Sequence, residues 1–262
     1  MTQFSSLYGA RLTRELGTDD ITILFTTALR KAAINEAAAE FADLTECWLK
    51  TSSLTLTAGT LEYNIASTAV LAAGDFTRLS RDGGVSFIYV DASSVKTVLS
   101  GDDLLRRDVR WLDANYQAWR FSTVASSAQQ WPTYWYEQKK NGGSFLGFVP
   151  VPSTGSSASM EALLSYVAQP PVMTSDTSEP FQSGAVVRTD LRPFHQGLVH
   201  YAAAILERLR RDTAQSDLQM QLFYTYVTRF LGSLRNKGGR TVTFARDYFN
   251  PRGSDRGTDP RR

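Results

Sequence analysis

The sequence predicts an α+β fold: a helical bundle formed from both chain ends, a mostly antiparallel β domain inserted between them, and an extended C-terminal arm. Apolar residues recur at three- and four-residue spacing before residue 50 and after residue 190. Between these stretches the period drops to two, with turn residues at short intervals. After Gly238-Gly239 the chain becomes basic and polar.

The first strong helical stretch is expected from about Asp19 to about Leu44, with Thr18-Asp19-Asp20 supplying a cap and two carboxylates for its positive end. A shorter helix around Leu7 to Leu16 precedes it, with Gly17 as the break. Three hairpins are expected next: around Ala58-Gly59, around Asp82-Gly83-Gly84, and around Asn141-Gly142 in YWYEQKKNGGSFLGFVPVP. Pro150 and Pro152 end the last of these or confine it to an edge. The run MEALLSYVA is a further strand, closed by Pro170-Pro171. A loop follows, and then two helices. One carries the stripe Phe194, Leu198, Tyr201, Ala202, Ile205 and Leu209. The other is capped by Ser216-Asp217 and carries Leu218, Leu222, Tyr226, Phe230 and Leu234. The expected units are 1–50 with 190–237 (helical, ring-forming), 51–172 (β), 173–189 (loop) and 238–262 (arm).

Composition excludes several classes of function. Hydrophobic residues make up 42% and charged residues 21% of 262, which is the balance of a folded chain. A lone Cys47 forbids an intrachain disulfide or a cysteine zinc cluster. His195 and His200 lie five apart, about 140° round a helix, and make a poor ligand pair, so no metal and no cofactor are expected. No membrane segment or secretory leader is expected either. No phosphate-binding loop, dinucleotide fingerprint, nucleophile elbow or zinc-protease motif is present. Cys47 reads as a buried thiol, and the pairs Asp19-Asp20 and Asp102-Asp103 read as helix caps, so no catalytic residue is expected.

Net charge is +2, but residues 235–262 hold eight arginines and lysines against three aspartates, a net +5 that leaves the body at −3. In that arm Val242, Phe244, Arg246 and Tyr248 share one face when extended, with Phe249 on the other and Arg240 and Arg252 flanking. An arm of this kind docks back on the body, stays disordered, or completes another protein's surface. Arg208, Arg210 and Arg211 form either a face toward nucleic acid or a solvated face paired with Glu207 and Asp212. Trp111, Trp119, Trp131 and Trp135 read first as core and subunit contacts and second as a sugar platform.

The order of these textures resembles the head-to-tail adaptor (connector, or head-completion) proteins of tailed bacteriophages. It rests on TALRKAAINEAAAEFADLTECW, the Asn-Gly hairpin with its PVP ending, the Leu-Leu-Ser-Tyr-Val strand running into Pro170-Pro171, Ser178-Glu179-Pro180-Phe181, and FHQGLVHYAAAILERLRRD. The resemblance covers roughly residues 19 to 235 and implies a virion protein of the neck, made in the host cytoplasm. It implies a homo-oligomeric ring, usually of twelve subunits, under the portal protein. The arm would grip the portal, a tail or nozzle protein would sit below, and double-stranded DNA would pass without sequence specificity. Small residues Ala37, Ala38, Ala203 and Ala204 are expected at the subunit interface, and Arg208, Arg210 and Arg211 at the channel or in salt bridges. The other readings are a tail-associated carbohydrate- or receptor-binding module and a nucleic-acid-binding protein using the basic C-terminus.

Overall fold

The computed structural model describes residues 3–17, 24–65, 75–80, 85–90, 96–98, 104–116, 119–121, 132–140, 143–152, 159–183 and 186–238. An N-terminal helical run consists of α1 (Phe4–Ser6), a π-helical piece (Leu7–Arg11) and α2 (Leu12–Leu16), closed by Gly17 at φ 62°. Gly17 supplies the left-handed cap that a side chain resists. Helix α3 (Thr27–Thr45) begins later than the sequence suggests. Thr26 is non-helical at ψ 153°, and its hydroxyl accepts from the Leu29 amide at 3.2 Å. With Thr26 as its cap, α3 does not run back unbroken to Asp19 as expected; Thr18-Asp19-Asp20 lie outside the described residues.

The strands are β1 (Leu49–Leu56), β2 (Glu62–Asn64), β3 (Phe76–Leu79), β4 (Val85–Val90), β5 (Lys96–Val98), β6 (Leu105–Arg106), β7 (Tyr134–Lys140), β8 (Gly143–Val149) and β9 (Ser159–Ala168). They form two sheets. The first has order β1-β9-β4-β5, with β3 also on β9; the second has order β2-β8-β7-β6. All pairings but β6–β7 are antiparallel. The β7–β8 hairpin matches expectation, with Tyr134 opposite Val149 and Lys140 opposite Gly143; Asn141-Gly142 lie outside the described residues.

Two expected hairpins differ. The Ala58-Gly59 turn, with Gly59 at φ 79°, joins strands of different sheets: β1 pairs with β9 and β2 with β8. Strands β3 and β4 do not pair with each other. Both run antiparallel to β9, placing Leu79 opposite Tyr166 and Val85 opposite Leu164 along one edge; Asp82-Gly83-Gly84 lie outside the described residues. Strand β9 is thus the centre of its sheet. Its Met160, Ala162, Leu164, Tyr166 and Ala168 are all buried.

Helix α4 (Val109–Asn115) is capped by Asp108, whose carboxylate accepts from the Trp111 amide at 2.6 Å; Asp102-Asp103 lie outside the described residues. The region 173–189 contains a small ladder of β10 (Gln182–Ser183) with β11 (Val186–Val187). A 3-10 turn (Thr189–Phe194) holding Pro193 leads into α5 (His195–Leu209), and α6 (Thr213–Gly238) closes the described chain. Asp212, rather than Ser216-Asp217, caps α6 by accepting from the Gln215 amide at 3.0 Å. Ser216 is buried and donates instead to the Ala204 carbonyl of α5 at 2.8 Å.

Helices from both chain ends pack together, as each apolar stripe requires. Phe41 of α3 lies 6.4 Å from Phe223 and 5.7 Å from Phe230 of α6, ring centre to centre. The same buried cluster takes in the β9 side chains and one face of the second sheet, Trp135, Leu146 and Phe148. The other face of that sheet, Tyr136 and Val149, packs with Leu112 and Trp119 in a second, smaller cluster.

Candidate functional site

Cys47, His195 and His200, the groups that sequence chemistry singled out as reactive, are all buried within the subunit. Cys47 is buried, and burial pushes its thiol up to about 12. His200 is buried against α2 and α6, with its Nδ1 2.7 Å from the Gln219 amide oxygen and 3.7 Å from Glu15. His195 is fully enclosed at the start of α5, and neither ring nitrogen has a hydrogen-bond partner among the described residues. Burial, with Arg11 and Arg192 nearby and Glu179 opposing, holds it down to about 4. Among the described residues no three His, Cys, Asp or Glu side chains converge as a metal site.

Trp119 and Trp135 form interior rather than a platform. Trp119 and Trp135 are 4% and 3% exposed, and their indole N–H groups donate to Asp113 at 3.0 Å and to the Leu104 carbonyl at 2.9 Å. Trp111 is half-buried, with the Arg107 guanidinium 4.6 Å over its ring; Trp131 lies outside the described residues.

Ala37, Ala38, Ala203 and Ala204, expected at a subunit interface, are 0–3% exposed inside a single subunit, on α3 and α5. Their small size lets helices of one chain approach closely, so this expectation is corrected. Of the arginine set, Arg210 donates to both oxygens of Glu207 at 3.1 and 3.2 Å, and that carboxylate is almost fully enclosed. Arg208 is exposed, and Arg211 is exposed at the bend between α5 and α6 with φ 67°. Arg240, Val242, Phe244, Arg246, Tyr248, Phe249 and Arg252 of the arm all lie outside the described residues.

Two clefts open on the described surface. One, of about 180 Å³, is lined by Pro171, Val172, Met173, Ser178, Glu179 and Gln182. The other, of about 290 Å³, is lined by Leu61, Glu62, Trp119, Arg120, Gln138 and Lys140. Both fall below the size usual for a small-molecule site. Their charges are already paired: Glu62 with Lys140 and the Tyr136 hydroxyl, Arg120 with Asp113, and Glu179 with Arg192.

Sequence reasoning missed the ties of the 173–189 region. The Phe4 and Ser5 amides donate to the Ser178 and Asp176 carbonyls, and the Asp176 carboxylate takes both Lys31 at 2.7 Å and the Tyr8 hydroxyl at 2.8 Å. It also placed Leu218 and Leu222 on a packed stripe. They are 49% and 37% exposed, while Phe223, Val227, Phe230 and Leu231 fill the core.

The chain matches the SU10 adaptor protein family over residues 2–251 and belongs to it, as a structural adaptor protein of bacteriophage virions that engages other virion proteins. No curated protein matches the chain. No helix among the described residues is long and apolar enough to cross a membrane.

Proposed function

We propose that this chain is a head-to-tail adaptor: a homo-oligomeric ring of about twelve subunits that joins the portal to the tail at the neck and surrounds the DNA path. The family match across nearly the whole chain is the observation that carries this reading. The arm of residues 238–262 docks on the portal, with Arg240, Arg246 and Arg252 flanking the apolar Val242, Phe244, Tyr248 and Phe249. The body's net −3 supports passage of DNA without retention, because phosphate contacts to cations are what make DNA stick. Such an adaptor needs no reactive centre. The buried, hydrogen-bonded tryptophans weigh against a sugar platform, and the Glu207–Arg210 pair removes one arginine from any nucleic-acid face.

Truncation after residue 238 tests the arm. The shortened protein is expected to keep its circular dichroism and melting temperature and to lose co-sedimentation with purified portal rings. Binding equal to the full chain would contradict the arm's role.

A further inference from the structure

Helix α6 carries an apolar stripe that stays open among the described residues. Leu218 and Leu222 are 49% and 37% exposed, and Arg229 follows them on the same face. Four and eleven residues beyond Leu218 lie about 40° and 20° from it round the helix, so the three side chains form one line about 16 Å long. Arg229 lies 5.6 Å over the Tyr226 ring and has no carboxylate partner among the described residues. The stripe belongs to the flank where Tyr226 meets His200 and α2 contributes Glu15.

The opposite flank carries a matching line on α3. Leu29 is 37% exposed, Ala32 and Glu36 are exposed, and Glu40 is half-buried. Steps of three, seven and eleven residues again keep them on one face. Both lines start with leucine and end, eleven residues later, with charge: positive at Arg229, negative at Glu40. Neither Glu36 nor Glu40 is ion-paired among the described residues, and Glu40 is raised above the ordinary carboxylate range by burial and by its acidic neighbours Asp43 and Glu36. Glu36 and Glu40 also act on the Tyr201 hydroxyl, beside Tyr224, which lies about 200° round α6 from Tyr226.

We infer that the α6 stripe of one copy packs against the α3 stripe of the next copy, leucines against Leu29 and Ala32 and Arg229 against Glu36 and Glu40. This contact rests on the ring reading proposed above. A self-pairing of either stripe would offer no opposite charge to Arg229, or to Glu36 and Glu40, so the contact joins unlike faces. Two unlike faces on opposite flanks are what a closed ring requires.

Charge exchange in the full-length protein tests the contact. The variants are Arg229→Glu, and Glu36→Lys alone and together with Glu40→Lys; all keep exposed or half-exposed positions, and circular dichroism checks their folding. Native mass spectrometry across a concentration series, alone and with portal rings, reads assembly. Each variant alone is expected to weaken assembly about tenfold or more, through like-charge juxtaposition. An equimolar mixture of Arg229→Glu with Glu36→Lys/Glu40→Lys restores wild-type assembly, because each then offers the other a complementary face. Leu222→Asp weakens assembly and is not rescued by mixing. Wild-type rings with unaffected variants, or a mixture no better than its parts, would overturn the contact and leave the ring reading standing. A wild type that stays monomeric at every concentration, with and without portal, would overturn both.

Discussion

Tyr136 on β7 lies directly opposite Gly147 on β8, and its ring occupies the space that a side chain at 147 would need: a Cβ there would fall 2.1 Å from Cζ. The ring is fully buried, and its hydroxyl donates to Glu62 at 2.7 Å, which fixes its direction. Gly147→Ala is expected to destabilise the fold by about 1–3 kcal/mol through overpacking. Urea unfolding followed by tryptophan fluorescence reads this as a lower midpoint; an unchanged midpoint would show that the ring moves freely.

Glu179 accepts from two guanidinium nitrogens of Arg192, at 2.9 and 3.0 Å, and joins the 173–189 region to the 3-10 turn before α5. The carboxylate is nearly enclosed, and the arginine is about one third exposed. Arg192→Ala leaves a buried charge alone and is expected to cost about 3 kcal/mol, whereas Glu179→Leu/Arg192→Met together should be nearly neutral. Equal losses for the single and double changes would contradict this.

His195 gives the stability a specific pH dependence. Its pKa falls from 6.5 to about 4 on folding, chiefly through burial. Between those values the unfolded chain binds the proton and the folded chain does not, so stability falls as pH drops from 6.5 toward 4 and this contribution is level outside that window. The loss reaches roughly 3 kcal/mol. His195→Leu is expected to flatten that part of the profile relative to wild type. Parallel profiles for the two proteins would refute the assignment.

Cys47 sits beyond the end of α3 with its thiol pushed up to about 12 by burial. The thiolate is the reactive form. A thiol-specific reagent at pH 8 should therefore leave the native protein unlabelled and react with one equivalent in denaturant. Rapid native labelling would place Cys47 at an opening surface.

Helix periodicity revealed the N-terminal helical run with its Gly17 break, α5 and α6, and the Asn-Gly motif marked the β7–β8 hairpin, because those signals are local. Sheet partners were not legible. Strand β1 pairs with β9 more than a hundred residues away, and no turn at Ala58-Gly59 encodes that choice. The α6 stripe misled for a geometric reason. Leu218, Leu222, Tyr226, Phe230 and Leu234 are spaced by four, and four residues overshoot one turn by about 40°, so the line drifts about 160° round the helix. It therefore starts in solvent at Leu218 and ends at the core at Phe230. The four alanines misled because small size marks close helix approach without saying whether the neighbour belongs to the same chain. The arm's residues were legible as chemistry alone.

The portal vertex of the intact virion offers the most direct measurement, by electron-microscopic reconstruction of the neck. A closed ring of about twelve copies of this chain between portal and tail, around the DNA axis, is the expected result. Absence of the chain from the vertex, or isolated copies on the tail periphery, would contradict the adaptor assignment.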